Sequence, residues 1–385
     1  MTGEPPSMPI RFQRPSFPSS EAIERYFARS RADHWYSNGG PCFELLVARL
    51  QDRTGCASLP VASATTGLIA AVSVLRRRRP SGTEAIVPSF TFAAAAQALV
   101  WNGLQPVFVD VDPLHWHLDA DALRAALAAR GGAVSVVVAC SSFGTLPPPS
   151  TLAAWESACR DAGVPLLVDS AAGFGGCNAQ GVPVGAQGDA EVVSFHATKP
   201  FAIGEGGAVF SRDPDLVAEI SRTANFAFDG ERRPQSPWGI NAKLDELHAA
   251  TALAVLDGFD AALAARRDRA AELLVALGGG FTPQEGHPRG TFQFVPVLAA
   301  DAALRDEILR RAAGRVELRT YYEPLHHSVA FAGARRAGPL TVTDALAPRM
   351  LSLPMFQDMT DAELQAVADV VSAGGGRRGE PDPSQ

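Results

Sequence analysis

The sequence predicts an α/β protein: a mostly parallel central sheet flanked by helices, followed by a smaller C-terminal α+β domain. Two observations carry this. Short apolar runs recur as EAIVP (84–88), PVFVDV (106–111), VSVVVA (134–139), PLLVD (165–169), EVVSF (191–195) and GAVF (207–210). They are continuous rather than alternating, as strands buried on both faces should be. Helix-forming stretches separate several of them, and that alternation implies parallel neighbours.

In chain order, residues 1–16 are rich in Pro and Ser and read as an extended arm. SATTGLIAA (63–71) reads as a helix start, and the run Arg76–Arg79 behind it as a solvated helix end whose cations complement the dipole. DADALRAALAARGG (119–132) opens on Asp and closes on Gly, and TLAAWESACRDAG (151–163) ends on Gly163. From 244 to 277 the chain is almost continuously helix-forming, with a break near Gly258. It carries the chain into TFQFVPVLA (291–299), LRDEILRRAA (304–313) and a last helix at 361–374. The domains expected are the arm (1–16), a large α/β domain (17–255), a small C-terminal domain (256–373) and a disordered tail (374–385).

Composition excludes several functions. A formal charge of -7, with 41 acidic against 34 basic residues, argues against a nucleic-acid partner. Five scattered cysteines without a CxxC pair speak for reduced thiols and against a disulfide framework or zinc site. The N-terminus lacks the features of a signal peptide, and no uncharged apolar run approaches the roughly 20 residues of a membrane helix. A cytoplasmic protein is expected.

The chemistry begins with lysine. Only Lys199 and Lys243 stand among 34 basic residues. A guanidinium essentially never becomes a free amine, whereas a buried ammonium can, and the amine can then form an imine. Thirty residues upstream, Asp169 ends an apolar run. A lysine for an imine and a carboxylate for a protonated ring nitrogen are two groups that pyridoxal 5'-phosphate needs. Ligands of an open α/β sheet sit at strand C-termini, where Asp169 and Ser194 both fall. Ser63, Thr65 and Thr66 at a helix start suit a phosphate, though an ordinary N-cap explains them equally well. Phe90 and Phe92, beside small alanines, offer a face for the ring.

Ten ordered segments then resemble the DegT/StrS-type nucleotide-sugar aminotransferases, which have the fold type I architecture. They are NGGP (38–41), VPSFTF (87–92), PVFVDVDP (106–113), VDSAAGFG (168–175), SFHATK (194–199), GEGGAVF (204–210), NFAFDG (225–230), GINAKLDELHAA (239–250), YYEPLH (321–326) and LSLP (351–354). The resemblance implies that Lys199 holds the cofactor and Asp169 faces its ring nitrogen. It puts Phe92 against the ring, and Ala64, Thr65 and Ser194 at the phosphate. It implies that Asn241 reaches the phosphate of a neighbouring subunit, so that a homodimer shares its sites. Lys243, in the NAK form, resembles the subgroup acting at the sugar's 4-position. His326 falls near the sugar end, and Asn38 and Gly39 are candidates for the nucleotide end.

Two positions depart from the family pattern. Ala172 stands where Gln, His or Glu usually contacts the ring hydroxyl, and Ala64 replaces a glycine, which requires a negative φ. A related branch that removes a hydroxyl has His for the lysine, so Lys199 puts this chain on the transaminase side. The implied activity is amination of a nucleotide-linked keto-deoxysugar, best a dTDP-4-keto-6-deoxyhexose, with L-glutamate as donor. Amination of a 3-keto sugar or a cyclitol on the same fold is the alternative. A non-catalytic sensor has no reason to keep both Lys199 and Asp169.

Overall fold

The computed structural model describes residues 9–372, so the tail expected at 374–385 lies outside the described residues. Eleven strands form: β1 (Ala57–Val61), β2 (Glu84–Pro88), β3 (Gln105–Val109), β4 (Val134–Cys140), β5 (Leu166–Asp169), β6 (Ala190–Ser194), β7 (Gly207–Ser211), β8 (Thr282–Pro283), β9 (Val295–Leu298), β10 (Arg335–Arg336) and β11 (Met350–Leu353). Eight make one sheet in the order β1-β7-β6-β5-β4-β2-β3-β10, and β11-β9-β8 make a second. From β6 to β10 every neighbouring pair of the large sheet is parallel; β7 alone runs against its neighbours. All six predicted strands are present. Of the large sheet, the apolar pattern does not single out the two-residue β10 or β1, which Pro60 interrupts; as an edge strand β1 tolerates the missing N–H.

Among the described residues twelve α-helices surround the sheets: α1 (Ser20–Ala32), α2 (Pro41–Thr54), α3 (Ala64–Leu75), α4 (Ala93–Trp101), α5 (Ala120–Arg130), α6 (Pro149–Ala162), α7 (Pro214–Ala224), α8 (Glu246–Leu256), α9 (Phe259–Leu277), α10 (Ala302–Ala312), α11 (Thr341–Leu346) and α12 (Asp361–Ser372). Successive residues of the central strands serve opposite faces. Val136 and Val138 pack with Leu68 and Val72 of α3 and Leu99 of α4, while Val137 and Ala139 pack with Leu123 of α5 and Trp155 of α6. Each buried Val or Leu among them contributes about 1.5–3 kcal/mol. This two-sided burial is why the strands read as unbroken apolar runs.

Gly163, in the left-handed region at φ 61°, ends α6 as expected, and a 61° bend at the Gly258 break separates α8 from α9. Among the described residues no single helix is long and apolar enough to cross a membrane. The arginine run is more than a solvated end. Arg77 and Arg78 are exposed, but Arg79 donates to Ala162 O and Gly131 O, both at 2.7 Å, satisfying carbonyls that helix ends leave without partners. Residues 9–16 are likewise held: Ile10 N donates to Arg315 O and Glu317 N to Ile10 O, and the buried Phe12 packs on Phe294.

Candidate active site

At the C-terminal ends of β4, β5 and β6 a cavity of about 530 Å³ opens between the sheet, the start of α3 and the loop after β2. Asp169, the last residue of β5, is buried at its wall; its Oδ1 accepts from Ala171 N at 3.0 Å. Burial pushes this carboxyl up to about 6, against the pull of Ala171 N and Lys199. A carboxylate so placed is a strong acceptor for a cationic N–H.

Lys199 ends a tight turn in which its N–H donates to His196 O, and its Nζ donates to Gln293 Oε1 at 2.9 Å. Burial lowers the ammonium to about 8, with Asp169 opposing. On that value roughly a tenth is free amine at pH 7, against well under 0.1% for an ordinary lysine.

The start of α3 forms another wall. Ser63 Oγ accepts from Thr66 N, and Thr66 Oγ1 accepts from Ser63 N, a reciprocal capping box. Two of the three hydroxyls expected at the phosphate therefore serve the helix itself. Thr65 remains free to face the cavity with the first-turn N–H groups. Ala64 has a helical, negative φ, so its replacement of glycine costs no strain. Glycine is required instead at Gly207, where a Cβ would lie 2.8 Å from Ala64 N and 2.6 Å from Val193 O. Ser194 lines the same corner and accepts from His196 N at 3.2 Å.

The two phenylalanines divide the work. Phe90 is fully buried and packs edge-on against Phe143 at 5.9 Å. Phe92, at the N-cap of α4, lines the cavity and is 61% exposed, leaving its ring free to take a flat ligand. Tyr322 completes this wall, 6.3 Å from Phe92 and stacked on Phe143. Sequence reasoning did not name Gln13, Tyr321, Tyr322 or Gln293, which also line the cavity. No local signal in the sequence marks Gln293, which meets Lys199, or Gln13, whose Nε2 donates to Thr198 O.

Five predicted site residues do not line this cavity. Asn38 and Gly39 adopt left-handed φ values of 63° and 77° in the turn before α2. That turn is shaped by Glu246, whose buried carboxyl accepts from Cys42 N (2.7 Å), Phe43 N (2.9 Å) and Ser30 Oγ (2.6 Å). A Cβ on Gly40 would lie 2.7 Å from Glu246 Cδ, so the glycine serves this cap. Lys243 Nζ donates to Asn241 Oδ1 at 2.6 Å and Asn225 Oδ1 at 3.0 Å on an exposed face. His326 corrects an expectation. It is buried behind β2 with both ring nitrogens engaged, Nδ1 with Ser89 Oγ at 2.6 Å and Nε2 with Asp344 Oδ1 at 3.0 Å, so it braces the loop bearing Phe92 rather than touching this chain's cavity.

A family model described as the DegT/DnrJ/EryC1/StrS aminotransferase family matches residues 19–372. The chain belongs to this family. It is 34% identical over 375 residues to "Protein Rv3402c" of Mycobacterium tuberculosis, covering 94% of this chain and 89% of that one. It is 33% identical to an L-glutamine:scyllo-inosose aminotransferase of Streptomyces griseus over 273 residues, 67% of this chain and 57% of that one. Among solved structures it resembles DesI in the presence of its TDP-sugar product, with a TM-score of 0.86 and 33% identity over 96% and 94% of the two chains.

This DegT/StrS-type sugar aminotransferase thus has the fold type I architecture, and its family's cofactor is pyridoxal 5'-phosphate. The residues present fit that group: a buried carboxylate, a helix N-terminus kept open by Gly207, a low-pKa amine and an uncovered aromatic face surround one cavity.

Proposed function

We propose that the enzyme aminates carbon 4 of a dTDP-linked 4-keto-6-deoxyhexose, with L-glutamate as donor. The observation that carries the transaminase chemistry is the burial of Lys199 and Asp169 on one cavity, with the amine lowered to about 8. Bound pyridoxal phosphate supplies an electron sink for the carbon that loses its proton. Asp169 holds the ring nitrogen protonated, and the first turn of α3, Thr65 and Ser194 hold the phosphate. Phe92 covers one ring face. Lys199 Nζ takes the proton from the α-carbon of the donor in the first half-reaction. It delivers one to the former keto carbon of the sugar in the second.

The 4-keto assignment is supported by the NAK form around Lys243 and by the likeness to DesI. A homodimer with shared sites accounts for Asn241, which is exposed and does not line its own chain's cavity. Position is decided by which keto carbon comes within about 3–3.5 Å of the reacting nitrogen, so 3-keto and 4-keto isomers should differ by orders of magnitude in rate. A cyclitol acceptor is the second reading, favoured by the Streptomyces griseus relative. Mass spectrometry of the enzyme with 3-keto and 4-keto sugar nucleotides and a keto-cyclitol, each with glutamate or glutamine, separates these. Amination of the 4-keto sugar alone is expected. Preference for another ketone overturns the substrate and leaves the Lys199 chemistry standing.

A further inference from the structure

Three side chains able to ligate a metal meet away from the cofactor cavity. His326, His327 and Asp344 bring one ligand atom each within 4.8 Å of one another, the one such group among the described residues. Asp344 Oδ1 lies 3.0 Å from His326 Nε2 and 3.1 Å from His327 Nε2, so two imidazoles aim the same ring atom at one carboxylate oxygen. Around zinc, with bonds of about 2.0–2.1 Å, tetrahedral neighbours stand about 3.3 Å apart, which these atoms reach by small shifts. His115 is a contrast. Its Nδ1 meets Asp112 at 3.2 Å and its Nε2 meets Glu285 at 4.0 Å, so the two carboxylates approach opposite nitrogens and share no point.

Two of the three ligands are held in place by the fold. His326 is buried, and the contact of its Nδ1 with Ser89 Oγ at 2.6 Å fixes the ring with Nε2 toward Asp344. Asp344 sits in α11, whose start is tied down by Asp110, the acceptor from Val342 N (2.8 Å), Thr343 N (2.8 Å) and Thr343 Oγ1 (2.7 Å). His327 and Asp344 are exposed, which leaves room for water at the remaining position. Arg336, whose charge acts on His326, is also exposed and is screened by solvent.

We propose that His326, His327 and Asp344 bind a zinc ion, with water as the fourth ligand. Two imidazoles and one carboxylate are donors that zinc accepts, and no thiolate is needed, so the scattered cysteines have no bearing on this site. With zinc bound, His326 carries its hydrogen on Nδ1 and donates it to Ser89 Oγ. The ion ties the turn at 325–327 to α11. Leu325 N donates to Ser89 O at 2.9 Å, at the start of the loop bearing Phe92, so zinc stiffens one wall of the cofactor cavity. None of its three ligands lines that cavity.

The test is zinc binding by the tag-free protein carrying its pyridoxal phosphate, after removal of free cofactor and treatment with a chelator. Equilibrium dialysis should find one zinc per chain. His327→Ala and Asp344→Asn should each weaken binding by at least about tenfold, and Ser89→Ala by about 10–100-fold through the loosened ring. His115→Ala should leave it unchanged. Zinc should raise the melting temperature of the unaltered protein and leave that of His327→Ala where it was. The two exposed ligands can be replaced without opening the core, so loss of binding there is not loss of the fold. No zinc on the unaltered protein would overturn the proposal. So would unchanged affinity in His327→Ala or Asp344→Asn, or loss of the zinc in His115→Ala.

Discussion

The two ends of this protein's chemistry are built differently. Most residues expected at the cofactor end converge within one chain: β5 delivers Asp169, the turn after β6 delivers Lys199, and α3 points its first turn into the same cavity. The motifs tied to the substrate end, and Asn241 expected at the cofactor's phosphate, do not converge there. Asn38 and Gly39 lie in the turn before α2, Asn241 and Lys243 bond one another on an exposed face, and His326 is enclosed. Sheet topology alone assembles the first set, because parallel strands deliver their C-termini to one edge. For Asn241, the proposed dimer with shared sites supplies a cavity to reach.

Breaking the cofactor end should cost most. Lys199→Ala should lower turnover by at least about 10³-fold, read in the half-reaction with glutamate. Asp169→Ala should lower it by about 10²–10³-fold, since the ring nitrogen loses its carboxylate. The contrast sharpens if inactive Lys199→Ala and Asn241→Ala chains are combined in one heterodimer. One of its two sites is then whole, so up to about half of the normal activity should return. No recovery in a verified heterodimer would mean that Asn241 serves only its own chain.

Smaller effects fall on stability. In the apoprotein Lys199 holds its proton to about pH 8, whereas the unfolded chain holds it to about 10.4. Between these values the unfolded state binds more protons, so stability should rise as pH rises from 8 to 10. Lys199→Met should remove that rise in pH-dependent denaturant unfolding. Glu246→Ala strands two backbone N–H groups of α2 and the Ser30 hydroxyl, and should cost about 2–4 kcal/mol in denaturant unfolding.

Much of the cofactor end was legible because its signals are local. A carboxylate ending an apolar run and a lysine in a lysine-poor chain each declare themselves without a structure. Gln293 and Gln13 were not, because they arrive from segments 94 and 186 residues from Lys199 and only folding brings them near. His326 misled for the converse reason. Its motif position was clear, but its direction was set by Ser89 and Asp344, groups that no spacing in the sequence connects to it. Of the NGGP turn, Gly40 is tied to a helix cap by Glu246, some 200 residues away, a link no local spacing shows.

With two lysines in the chain, one measurement decides whether Lys199 is the cofactor's attachment point. The protein loaded with pyridoxal phosphate is reduced with borohydride, digested and mapped by mass spectrometry. The cofactor should be found fixed to the peptide containing Lys199 and absent from the one containing Lys243. A label on Lys243, or on neither lysine, would contradict the account.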